Sequence, residues 1–121
     1  MKSLVPLTHI EHRIYLIRSC KVMLDEDLAK IYGVSTKRLN QQARRNQKRF
    51  PQDFMFQLTQ EEAGSLRLQN ATLEAGRGKY RKYLPCVFTE HGAVMLASVL
   101  HTEIAIEASV QIARAFVHLR E

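Results

Sequence analysis

Gly33 stands where one helical stretch must stop and another, of very different character, begins. Ahead of it, Asp25, Glu26 and Asp27 suit a helix N-terminus, where unpaired N–H groups and the macrodipole favour anions. Leu28, Ile31 and Tyr32 then recur at helical spacing, and Ala29 is small enough for a second helix to approach closely. Gly33 supplies the positive φ that ends a helix, Val34 is placed to plug the gap between two helices, and Ser35 or Thr36 caps the next. The second helix is expected to run to Phe50 and stop at Pro51. Ala29, Gly33 four residues on and Leu39 six further match the spacing of two helices crossing at about 90–120° over a short turn. The stretch 25–50 therefore reads as a helix-turn-helix.

Charge sets the second helix apart. Residues 35–50 hold six cations (Lys37, Arg38, Arg44, Arg45, Lys48 and Arg49) and no acid. With about 100° per residue, Leu39, Ala43 and Phe50 share one face with Asn46. Lys37, Gln41, Arg44 and Lys48 share the opposite face, flanked by Arg38, Arg45 and Arg49. Like charges at this spacing repel mildly, and a bound anion would relieve them. Residues 77–82 add four cations (Arg77, Lys79, Arg81 and Lys82), again without an acid. The rest of the chain has eight cations against 12 acids, a net of −4, although the whole is +6. Positive charge segregated in this way points to a polyanionic partner.

In a helix-turn-helix the second helix enters the major groove, and its N-terminal half reaches base edges. Thr36, Lys37, Arg38, Gln41 and Gln42 are thus the base-reading candidates, since Arg and Lys suit guanine and Gln suits adenine. Arg44, Arg45, Lys48 and Arg49 are placed to hold phosphates. Gln42 falls near a position often apolar in such motifs, so Ala43 is expected to do that packing. The second basic stretch mixes its cations with Tyr80 and Tyr83 and has Gly76 and Gly78 at its tip. A hairpin of that kind can track a phosphate strand or reach a minor groove. The competing readings are a solvated basic helix and a solvated loop.

The remaining segments fill in an α+β architecture: a helix-turn-helix core, small antiparallel β-hairpins and C-terminal helices. Residues 1–12 are expected to be an irregular lead-in. Residues 13–18 read as a strand that turns at 19–22 into a second. Phe54, Phe56 and Leu58 alternate, as in a strand, and Thr59 with Glu62 forms a capping box for a helix to about Leu68. Residues 70–82 read as a loop and 83–88 as a strand that Pro85 assigns to an edge. Thr89 is expected to cap a helix through Leu100, and Thr102 the last one. Apolar residues of that last helix (Ile104, Ile106, Val110, Ile112, Phe116, Val117, Leu119) go nearly all round. It must therefore be covered by the core, by a second subunit, or by both.

At 121 residues the chain is one domain, and 45% apolar with 25% charged residues is ordinary for a soluble protein. The helical pattern persists to Arg120 without a stop signal, so 1–121 reads as the N-terminal domain of something longer. No apolar run approaches the roughly 18 residues of a membrane span, and the N-terminus makes a poor signal peptide. A cytoplasmic, nucleoid-associated protein is expected. Cys20 and Cys86 are far apart and read as reduced thiols. His9, His12, His91, His101 and His118 are scattered, and no carboxylate or cysteine cluster completes a metal set. With no phosphate cradle and no nucleophile–base pair either, neither metal nor cofactor is expected, and no enzyme.

Three segments, VMLDEDLAKIYGVSTKRLNQQARRNQKRFPQDFMFQLT, YLPCVFTEHGAVMLASVL and IAIEASVQIARAFVHLR, together resemble the phage ORF-six N-terminal DNA-binding domain, a relative of the KilA-N domain. The likeness runs from about Ile14 to Arg120. It rests on LDxDLAxxYGVxTKxLN, RFPxDFMFQLT and FTExGxxMLxxVL. The resemblance implies a DNA-binding domain of phage, prophage and bacterial proteins, often regulators or antirepressors. It assigns no individual base contact. The expected function is sequence-specific binding of double-stranded DNA, as a homodimer joined through the last helix. The alternative is a protein-interaction module whose apolar last helix grips a repressor or another partner, and a metal-dependent nuclease ranks third.

Overall fold

The computed structural model describes residues 6–69 and 84–120. Its centre is a four-stranded antiparallel sheet in the order β1-β2-β4-β3, made of β1 (Ile14–Ile17), β2 (Cys20–Leu24), β3 (Met55–Gln57) and β4 (Cys86–Thr89). β1 and β2 form a hairpin with Ile17 opposite Cys20, so Arg18 and Ser19 make a two-residue turn. Both have positive φ (55° and 63°), the requirement of the turn that matches strand twist.

Alternation along the strands sends side chains to two separate cores. Met23 and Phe88 point into the larger one, beneath α1 (Leu7–Glu11), α2 (Asp25–Tyr32), α3 (Thr36–Arg45), α5 (Glu90–Met95), α6 (Ala97–Leu100) and α7 (Ala105–Arg120). Tyr15, Val22, Leu24 and Val87 point the other way, onto Ala63 and Leu66 of α4 (Gln60–Gln69). The Thr59–Glu62 capping box forms as the sequence requires, each residue's side chain accepting the other's backbone N–H at 3.1 and 2.9 Å.

Several boundaries differ from those the sequence suggests. Residues 1–12 were expected to be irregular, but Leu7–Glu11 is a helical turn, because Ile10 has core to bury in beside α7. β4 is not an edge strand. It lies between β2 and β3, which is possible because Pro85 comes just before the ladder and contributes only its carbonyl, to Leu58 N–H at 2.9 Å. The helix after Thr89 breaks at Leu96 into α5 and α6. Thr89 does not cap it, since its hydroxyl donates to the carbonyls of Asp53 and Phe54. The last helix starts at Ala105, with Thr102 joining only through its carbonyl. The expected loop 70–82 and any wing it forms lie outside the described residues.

Gly92 holds this arrangement together at its tightest point. A Cβ there would lie 2.1 Å from the Phe54 carbonyl oxygen, which already accepts the Thr89 N–H at 3.0 Å. Only a residue without a side chain lets α5 cross the segment leading into β3.

Candidate nucleic-acid interface

The turn between α2 and α3 closes as Gly33 demands. Gly33 has φ 75°, its N–H bonds Lys30 O at 3.3 Å, and Val34 N–H bonds Ala29 O at 3.0 Å. These two bonds make a Schellman motif, and Val34 packs on the main core, plugging the angle between the helices. Ser35 caps α3, its hydroxyl accepting the Arg38 N–H at 3.0 Å. Ala29, Leu39 and Ala43 are buried where the helices meet.

α3 also carries a polar anchor. Asn40 lies in the buried stripe with Leu39 and Ala43, and its amide donates to Asp25 Oδ2 at 2.9 Å. Asp25 is wholly buried. Its carboxylate also accepts Glu26 N–H at 2.7 Å and Cys86 N–H at 3.2 Å. One side chain thus joins the start of α2, the start of β4 and the middle of α3. Charge-assisted bonds to a buried carboxylate are strong and directional, so they fix how α3 is turned about its axis. The acidic run 25–27 therefore does more than favour a helix start, since Asp27 is buried too. Burial pushes the Asp27 carboxyl up to about 6, despite the Arg13 guanidinium at 3.8 Å. Burial and the nearby Asp25 push the Cys86 thiol up to about 11, and both cysteines are free thiols. Tyr32 is likewise raised by burial, and its hydroxyl donates to Ala93 O at 2.7 Å.

What remains outside is basic. Lys37, Arg38, Arg44 and Arg45 are exposed on α3, while Thr36, Gln41 and Gln42 are half-buried. Lys37, Gln41 and Arg44, at spacings of four and three, share the outer face as the helical wheel requires. The α-helix stops at Arg45, short of Phe50. Asn46 breaks it by turning its side-chain amide back onto Gln42 O at 2.8 Å, and a 3₁₀ turn, Gln47–Arg49, follows. Lys48 and Arg49 are exposed on that turn rather than on a continued helical face. Phe50 still reaches the core, packing edge-on against Phe88 at 6.0 Å. Among the described residues no carboxylate pairs with Lys37, Arg44, Arg45, Lys48 or Arg49. Arg38 differs, because its guanidinium donates to Leu100 O, 3.1 Å away at the end of α6. Arg77, Lys79, Arg81 and Lys82 lie outside the described residues.

Asn40, Asp25 and Gly92 shape this site although the sequence reading gave none of them a role in it, Asp25 being read only as a helix-start anion. A polar residue in the apolar stripe of α3 was the available signal for Asn40. The molecule is thus an α+β domain that presents the second helix of a helix-turn-helix at its surface, charged and acid-free. The family model for the ORF6N domain matches residues 12–99, most of the chain, so the protein belongs to the ORF6N domain family, a phage-type regulatory family. The match covers the helix-turn-helix and all four strands, and α7 lies beyond it. No curated protein and no solved structure matches the chain. No helix among the described residues is long and apolar enough to cross a membrane.

Proposed function

We propose that this protein binds double-stranded DNA sequence-specifically through α3, as a phage- or prophage-type transcriptional regulator or antirepressor working by binding rather than catalysis. The observation that carries the reading is the outer face of α3 and its following turn, where five exposed cations have no carboxylate partner among the described residues. An unneutralised set of cations on a rigid helix favours a partner that supplies regularly spaced anions. Lys37 and Gln41, near the helix start, reach base edges. Arg44, Arg45, Lys48 and Arg49 meet phosphates. Such a protein works in the cytoplasm, at the nucleoid.

Fluorescence anisotropy with duplex DNA at several salt concentrations tests this reading. The logarithm of the affinity should fall with the logarithm of salt by about 0.9 per phosphate neutralised. Arg44→Glu combined with Lys48→Glu should abolish binding and leave the circular dichroism spectrum unchanged. A folded double variant that binds as wild type does would exclude this face as the DNA contact.

A further inference from the structure

α7 carries two apolar stripes. Ala105, Ala108, Ile112, Ala115 and Phe116 are buried against the core. Ile106, Val110, Ala113 and Val117 follow a second line at spacings of four, three and four, the repeat of a coiled-coil seam. At 100° per residue this line is rotated roughly 140° from the first, away from the core. Ile106 is 73% exposed, Val110 42% and Val117 41%. Scattered exposed aliphatics need no explanation, but a regular seam three turns long on one helix does. Beside it, Leu7 of α1 joins Val110, Ala113 and Val117 in lining an almost wholly apolar groove.

Charge along α7 identifies what fits there. Glu103 and Glu107 lie at its N-terminal end, and Arg114, His118 and Arg120 at its C-terminal end. A parallel copy would place no base across the seam from Glu107 and no acid across from Arg114. An antiparallel copy sets acids against bases and opposes the helix dipoles favourably. We propose that α7 is a self-association surface, pairing antiparallel with α7 of a second copy of this chain about a two-fold axis near Gln111 and Ile112. Ile106 then faces Val117 of the other copy and Val110 faces Ala113, whose small side chain lets the helices approach. The contacts of Arg114 with Gln111, His118 with Glu11 and Arg120 with Glu90 lie at the surface, where such pairs rearrange at little cost. A seam of this length is at the small end for a stable interface, so dissociation on the order of micromolar is expected. The surface is separate from α3 and forms without DNA.

Sedimentation equilibrium of the 121-residue chain without DNA tests this inference. A monomer–dimer equilibrium is expected, with Val110→Glu weakening association at least tenfold at unchanged helicity. Glu107→Arg alone should also weaken it, and adding Arg114→Glu should restore it. A protein that is monomeric throughout, or a dimer indifferent to Val110→Glu, overturns the proposal. The monomer result would leave the seam to a different protein. A double charge variant no stronger than the single one overturns the antiparallel pairing. DNA titration of the Val110→Glu monomer separates this proposal from the DNA reading, because salt-dependent binding should survive there at reduced affinity.

Discussion

α3 and α7 are each held to the main core by one narrow buried stripe, and they differ in what they turn outward. On α3 the stripe is Leu39, Asn40 and Ala43, and the opposite side is lysine, arginine and glutamine. On α7 the stripe is mainly alanine with Ile112 and Phe116, and the opposite side is a second aliphatic line. The inner stripes have the same task, which is to remove apolar area from water. The outer faces do not contribute to the fold in that way. Repelling cations on α3 and exposed aliphatics on α7 both cost the isolated domain something, and each cost would be relieved by a different kind of partner.

The comparison requires that both helices hang on one core, and Gly92 tests that first. Gly92→Ala drives a Cβ into the backbone carbonyl of Phe54, with no flexible side chain to yield. Overpacking of this kind is expected to lower stability by about 3 kcal/mol or more. DNA binding and self-association should then both be lost at lower urea than in wild type, and at the same urea concentration as each other. A variant within about 1 kcal/mol of wild type would mean that α5 can slide off β3, and that the two surfaces are not braced by a common frame.

Asn40→Ala should separate the two regions. It removes the bond to Asp25 that fixes the rotation of α3, while α7 keeps all its core contacts. Loss of a hydrogen bond to a buried charge is worth about 2 kcal/mol. DNA affinity should fall by more than tenfold, because the proposed DNA-contact face is no longer held in register, whereas the dimer constant should stay within twofold. Equal losses in both assays would show that Asp25 and Asn40 support the whole domain instead of aiming one helix.

The local features of the fold were legible because short-range chemistry writes them. The Gly33 turn, the Ser35 cap, the Thr59–Glu62 box and the strands at 14–17 and 20–24 are all decided within a few residues. What was not legible depends on partners distant in sequence. Pro85 argues for an edge strand until β3 is known to pair on the far side of β4. Asp25 looks like a helix-start anion until Asn40 and Cys86 are brought to it from 15 and 61 residues away. The helical wheel placed Lys37, Gln41 and Arg44 together, but it carried Lys48 along a helix that Asn46 ends. For α7, all-round apolarity was visible, but dividing it into inner and outer stripes required the packed core.

Arg38 sits where the two regions meet, and the smallest of these effects is expected there. By position it belongs with the base-reading candidates at the start of α3, yet its guanidinium donates to Leu100 O. Leu100 ends α6, and His101 then turns the chain through a left-handed conformation (φ 55°) toward α7. Arg38 thus ties the start of one outward helix to the approach of the other. As a clamp, it should cost about 1 kcal/mol of stability when replaced by alanine. DNA affinity should then drop evenly across sequences, by less than tenfold. A base-reading arginine behaves differently, since its loss relaxes preference at one position by about 1–3 kcal/mol. Selection from a random duplex library with wild type and Arg38→Ala distinguishes the two. Unchanged preference at every position keeps Arg38 with the frame. Relaxation at a single base pair would mean that the guanidinium leaves Leu100 when DNA arrives, so that binding on α3 loosens the turn into α7.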